Sequence, residues 1–282
     1  MECKICNSSS RLVFKAQVLS RYQIAYFHCV SCGFIQTEKP YWLEEAYSSA
    51  ISSLDVGLVS RNLELAESTV RIITQHFEYG AKFLDYAGGY GLFVRLMRDR
   101  GFDFYRQDVY CENIFARSLD VQDLLPGTRF ELVTAFEVFE HLVNPIDEIQ
   151  TIFTYADSIL FSTELQPHVP INSVKDWWYF VPESGQHVSL YTRESLEIIA
   201  KKFNCFLYTD NAHLHLMTPK SLAQDPFAYQ PNKESWLYRG LNRLLRTLES
   251  PASAIKKPIQ RESLLNQDFE MARKKVLLNK PR

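Results

Sequence analysis

Apolar residues return at three- and four-residue spacing through 58–77, where Val59, Leu63, Ala66, Val70, Ile73 and Phe77 share one face. That period predicts an amphipathic helix, ended by Gly80. The pattern then contracts. Ala81–Tyr86 is a short apolar run of strand length, the turn Ala87-Gly88-Gly89-Tyr90-Gly91 follows, and Leu92–Arg98 opens a helix that stops near Gly101. Asp103–Asp108 reads as the next strand, and Thr192 is placed to cap a helix over 193–203. Strand, glycine turn, helix and strand together form the nucleotide-binding arrangement of a doubly wound α/β sheet. Ahead of this region, Leu12–Val18 and Tyr22–His28 are rich in β-branched and aromatic residues and predict a short hairpin.

The 282 residues suffice for one α/β domain with accessory parts. Four segments are expected: a metal module over 1–40, a helical lead-in over 41–80, the sheet domain over 81–219 with an insert at 164–191, and a helical tail over 220–282. Charge divides unevenly among them. From Lys220 onward there are 13 Lys and Arg against 6 Asp and Glu, whereas the body carries 18 against 27. In the tail, Leu237, Leu241, Leu244, Leu245 and Leu248 make one helical stripe, and 261–277 reads as a second helix. Packing against its own domain or a second copy is the expected use of that stripe, and its basic charge also suits peripheral contact with a membrane surface. There is no run of 18 apolar residues and no signal-peptide pattern, so a cytoplasmic protein is expected.

Four of the six cysteines form two pairs, Cys3-x2-Cys6 and Cys29-x2-Cys32. Each pair puts two thiolates on one tight turn, and two such turns supply the four tetrahedral ligands of structural zinc. A closed four-sulfur set leaves no coordination position for substrate, which argues for a structural ion rather than a catalytic one. Cys111 and Cys205 lie apart and read as core thiols.

The glycine turn narrows the cofactor. Its end lacks the Gly-Lys-Ser/Thr of phosphate loops, and Asp85 directly before it would repel a pyrophosphate but suits a cationic amino-acid end. Asp108 closes the following strand, where an acid accepts from ribose hydroxyls. Hydrophobic strand, acid, then Ala87-x-Gly89-x-Gly91 resembles the first motif of the class I S-adenosylmethionine-dependent methyltransferases, with Ala87 at the family's first glycine. Phe130–Leu142 looks like the family's fourth strand followed by its Glu-His motif, Ser158–Thr163 like strand five, and 205–209 with 214–217 like the closing hairpin. The resemblance implies a Rossmann-like seven-stranded methyltransferase sheet. It implies cofactor contacts from Asp85, Ala87, Gly89, Gly91, Asp108, Phe136 and Glu137, and it suggests Asp120 near the adenine.

The insert holds Trp177, Trp178, Tyr179, Glu183 and Tyr191 beyond strand five, where acceptors bind in open α/β sheets, and these are the expected substrate residues. A hydroxyl or amine acceptor must lose a proton, and His187 and His141 are the candidate bases because imidazole titrates near neutrality. The zinc module, aromatic insert and basic tail together look like methyltransferases of sugar-nucleotide or surface-polysaccharide biosynthesis. The carbon-methylating deoxysugar enzymes of that kind carry a Tyr/Glu/His cluster with no evident match here, so a sugar hydroxyl is the preferred acceptor. Two alternatives stay open: an RNA base methyltransferase and a non-catalytic zinc-ribbon interaction protein. The acidic body counts against nucleic acid.

Overall fold

A computed structural model describes residues 1–48, 55–228 and 261–278. Along the chain, β1 (Ser10–Val18), β2 (Tyr22–Cys29) and β3 (Ile35–Thr37) precede two helices, α1 (Leu43–Ala46) and α2 (Leu58–His76). The sheet domain runs β4 (Lys82–Tyr86), α3 (Leu92–Asp99), β5 (Asp103–Gln107), β6 (Leu132–Ala135), α4 (Pro145–Phe153) and β7 (Ile159–Ser162). After the insert come β8 (Ser189–Leu190), α5 (Arg193–Lys202), β9 (Phe206–Thr209), β10 (Leu214–Thr218) and α6 (Leu265–Leu278). The Leu237–Leu248 stripe lies outside the described residues.

The main sheet has the order β5-β4-β6-β7-β10-β9, parallel from β5 to β7, with β10 antiparallel to both β7 and β9. The Rossmann-like class expected from the sequence is present, with six strands rather than seven among the described residues. Outside β5, among the described residues, one parallel bridge forms, Arg106 to Asp120. Parallel strands buried on both faces should be apolar throughout. Accordingly β6 and β7 are buried at every position, as is β10.

A second sheet, β1-β2-β3-β8, joins the amino-terminal hairpin to the insert. Ile35 pairs with Leu190 and Gln36 with Ser189, so the metal module and the insert share one sheet. The four-cysteine region is likewise continuous with the domain core. Cys3, Ile5, Cys29, Cys32 and Phe34 pack in the cluster that holds Phe139, Phe161 and Tyr191. The second cysteine turn docks on the start of α5: Thr192 Oγ1 donates to Cys32 O at 2.6 Å, and Gln166 Nε2 donates to Gly33 O at 2.9 Å.

Helix α6 is tied down by charge. Asp268 accepts from Arg95 Nη1 at 2.8 Å and from Arg98 Nε and Nη2 at 2.9 and 2.7 Å, and Arg98 is buried. The tail's described helix therefore rests on the α3 side of the domain. No helix among the described residues is long and apolar enough to cross a membrane.

Candidate functional site

The chain between β4 and α3 turns back sharply, with Ala87, Gly89 and Gly91 all at positive φ (54°, 54° and 85°). Glycine adopts that region without penalty, whereas Ala87 holds it at some cost. Gly91 begins α3. Gly88, absent from the expected set, is required for a different reason. A Cβ on it would stand 2.6 Å from Asp85 Oδ2 and 3.0 Å from Arg106 Cγ.

Beneath this turn, Asp85 is buried and accepts from Thr134 Oγ1 at 2.7 Å. Burial pushes its carboxyl up to about 7, against the Thr134 hydrogen bond that favours the charge. Asp108 is engaged with the backbone. Its Oδ2 accepts from Gly89 N at 2.9 Å, and its Oδ1 accepts from Tyr110 N and Cys111 N at 2.7 Å each. A carboxylate offers about four lone-pair directions, so one remains on Oδ2 for a ribose hydroxyl. Asp120, expected near the adenine, is held in a salt bridge: Oδ1 accepts from Arg106 Nε at 2.6 Å and Oδ2 from Asn113 Nδ2 at 2.9 Å. Arg106 also donates to Gly89 O and Cys111 O, so one buried guanidinium ties the turn, the loop after β5 and Asp120 together. Sequence reading missed this residue. The available signal was a charge at an inward position of the β5 strand.

Phe136 packs edge-on against Phe93, with centroids 5.0 Å apart. Glu137 sits at φ 54° just past β6; its N–H donates to Ser162 Oγ at 2.7 Å, and Ser162 Oγ donates back to Glu137 Oε1 at 2.7 Å. Glu137 and Ser162 line a cavity of about 300 Å³ beyond the carboxyl ends of β6 and β7, together with Arg61, Glu64, Ser68 and His213. Cavities of that size and place receive ligands in α/β sheets. The open backbone turn, the buried acid below it and the free Asp108 lone pair fit a nucleoside carrying a cationic amino-acid end.

The insert is less open than its composition implied. Trp177, Tyr179 and Tyr191 are core residues: Trp177 and Tyr179 pack with Phe180 in the cluster under the second sheet, and Tyr191 donates to Phe139 O at 2.9 Å. The hydrophobic gain of burying three rings accounts for their place in the core, and Tyr179 packs edge-on against His187 with centroids 4.6 Å apart. Trp178 (70% exposed) and Glu183 remain on the surface.

His141 and His187, far apart in sequence, come together with ring centroids 5.0 Å apart at 87°. His187 Nδ1 donates to Tyr179 O at 2.6 Å, and His141 Nδ1 lies 3.0 Å from the Tyr47 hydroxyl. Burial holds His187 down to about 4; burial together with the neighbouring His187 holds His141 down to about 3. Both rings are therefore neutral at physiological pH. Behind them Glu140 is fully buried, and burial, then the charge of Glu137, raises its carboxyl to about 8. Tyr47, Glu140, His141 and His187 thus assemble a Tyr/Glu/His cluster from segments far apart in the chain. Tyr47 is delivered by the lead-in, which is pinned to the insert where Trp42 Nε1 donates to Gly185 O and Gln186 Nε2 donates to Ala46 O, both at 2.8 Å.

The four amino-terminal sulfurs converge as expected, with Cys3–Cys32, Cys6–Cys29 and Cys6–Cys32 Sγ separations of 3.7, 3.4 and 3.6 Å. Four sulfurs at about 2.3 Å from a tetrahedral zinc stand about 3.8 Å apart, so the set fits the ion. Backbone N–H groups of Ile5 and Ser31 point at Cys3 and Cys29 Sγ, each at 3.4 Å, which favours thiolate sulfur.

No curated protein sequence matches the chain. Among solved structures it is similar to the plantazolicin methyltransferase BpumL in complex with a monoazolic desmethylPZN analog and SAH, at 10% identity and a TM-score of 0.46 over 64% of this chain and 93% of that one. It is also similar to CalO1, a methyltransferase in calicheamicin biosynthesis (12%, TM-score 0.39, 64% of this chain and 60% of that one). A third is an O-methyltransferase family 2 protein from Planctomyces limnophilus in complex with apigenin (12%, TM-score 0.43, 58% and 60%). Residues 60–210, more than half of the chain, match the methyltransferase domain family, and the chain belongs to it.

Proposed function

We propose that this methyltransferase carries the methyl group of S-adenosylmethionine to a small carbohydrate acceptor, at a sugar hydroxyl in sugar-nucleotide or surface-polysaccharide biosynthesis. The observation that carries the reading is the His141–His187 pair. Two neutral imidazoles beyond the β6 end of the sheet supply the place where an acceptor O–H is bound and loses its proton. The methionine end of the cofactor belongs over Ala87–Gly91 with Asp85 beneath, and the ribose belongs at Asp108. In-line displacement at a sulfonium depends mainly on positioning, which the pinned lead-in and insert provide. The four cysteines hold a structural zinc that keeps α5 and the insert in place. The unpaired thiols at Cys111 and Cys205 suit a reducing cytoplasm.

The Tyr47/Glu140/His141/His187 cluster also favours a second reading, methylation at a sugar carbon next to a carbonyl. Calorimetric titration with S-adenosylmethionine and S-adenosylhomocysteine, with NAD as control, is the first test, followed by a screen of sugar nucleotides with mass spectrometric analysis of the product. Micromolar binding of the first two ligands and an O-methyl product are expected. A C-methyl product would establish the second reading, and no binding to a folded, zinc-loaded protein would sink both.

A further inference from the structure

We propose that Glu140, His141 and His187 bind a divalent transition-metal ion, separate from the four-cysteine site, and that this ion holds the acceptor oxygen. Each residue offers one ligand atom, and the three atoms lie within 4.8 Å of one another. Neither oxygen of the fully buried Glu140 makes a well-formed hydrogen bond, although the Tyr179 and Thr163 hydroxyls stand nearby. A buried carboxyl whose polar atoms are poorly satisfied is costly whether charged or neutral, and a bound metal ion relieves that cost by taking an oxygen as ligand. His141 Nε2 stands 3.8 Å from Glu140 Oε1. A direct charge-assisted hydrogen bond would close to about 2.7–2.9 Å, whereas ligand atoms about 2.1 Å from a tetrahedral ion stand about 3.4 Å apart. The observed gap is nearer the second.

The outer contacts agree. A carbonyl only accepts, so the 2.6 Å contact with Tyr179 O puts the proton of His187 on Nδ1 and leaves the Nε2 lone pair free. Metal-binding histidines characteristically donate their other N–H to a backbone carbonyl in this way. The Tyr47 hydroxyl can accept from His141 Nδ1 likewise. Two imidazoles and one carboxylate form an incomplete coordination set with open positions, suited to zinc, manganese, iron or cobalt. That is the opposite of the closed four-sulfur set.

The catalytic consequence rests on the methyltransferase reading; the ion site itself does not. With the acceptor hydroxyl in an open position, its pKa falls. The O–H proton passes to solvent water, an oxygen lone pair forms the O–CH3 bond, and the CH3–S bond breaks with its electron pair returning to sulfur. His141 and His187 then act as ligands rather than as bases.

The test is titration of the full chain, its four-cysteine site already loaded with zinc, with Mn2+ followed by electron paramagnetic resonance. Calorimetry with S-adenosylhomocysteine is run on the same sample. Wild type should take up one Mn2+, and Glu140→Gln and His187→Ala should each weaken that uptake at least tenfold. A measurement on wild type alone guards against misfolded variants: Co2+ at this site should give weak visible bands without sulfur-to-metal charge transfer. Absence of Mn2+ uptake, uptake unchanged in both variants, or Co2+ spectra showing only thiolate ligation would each overturn the proposal. If S-adenosylhomocysteine binds and no ion does, the ion site falls and the methyltransferase reading stands. If the ion binds and S-adenosylhomocysteine does not, the reverse holds.

Discussion

Gly88→Ala tests whether the cofactor turn is built on close approach. Gly88 is at an ordinary φ, so the substitution adds a methyl group without backbone strain, and the effect isolates space. The new Cβ would lie 2.6 Å from Asp85 Oδ2 and 3.0 Å from Arg106 Cγ. Neither neighbour is free to retreat. Asp85 is buried and bonded to Thr134 at 2.7 Å, and Arg106 is buried and bonded to Asp120 at 2.6 Å. Inserting a methyl into a packed site costs about 1–3 kcal/mol, and disturbing the Thr134–Asp85 hydrogen bond adds about 1 kcal/mol. For a domain of this size a loss of about 2–4 kcal/mol lowers Tm by roughly 4–16 °C. Displacing Asp85 and the turn should also weaken S-adenosylhomocysteine binding at least tenfold, since about 1.4 kcal/mol is a factor of ten. The control is Gly57→Ala, where nothing lies within 4 Å of the added Cβ and the change should stay within about 0.5 kcal/mol. Differential scanning calorimetry and isothermal titration read both quantities. A Gly88→Ala protein that melts and binds like wild type would refute the reasoning.

Asp268→Asn should destabilise the protein by about 2–4 kcal/mol in urea unfolding, because Arg98 is buried and loses its two-point partner while keeping Asp103; an unchanged midpoint would mean that α6 does not dock on α3. Cys29→Ser should remove the chelator-resistant zinc, about one per chain, and loosen the insert, seen as faster proteolysis; retained zinc would exclude the four-sulfur site. The pH dependence of Asp85 has a defined sign. Its folded pKa of about 7 lies above the unfolded value of 3.8, so its contribution to stability is lost as pH rises through that interval. Relative to wild type, Asp85→Asn should therefore gain Tm between pH 5 and 8. Wild-type affinity for S-adenosylhomocysteine should rise over pH 6–8 while that of Asp85→Asn stays flat, and parallel curves would remove Asp85 from the cofactor's ammonium end.

Much of the fold follows from local pattern alone. The 3.6-residue period of 58–77, the short apolar strands, the acid before Ala87-x-Gly89-x-Gly91 and the cysteine pairs each reflect interactions within a few residues, so the sheet domain, its glycine turn and the pairing of cysteines were legible along the chain. Three features came from contacts between distant segments. The insert's aromatics became core because β8 joined the amino-terminal sheet, a pairing between residues more than 150 apart. Arg106 and Gly88 gained their roles from atoms that meet across neighbouring strands and loops. The Tyr47/Glu140/His141/His187 cluster draws on three separate segments, and no spacing records a distance set by how the lead-in and insert fold back on the sheet. Local propensities act along the chain, whereas a buried site is fixed by close packing between distant segments, and only the folded molecule carries that information.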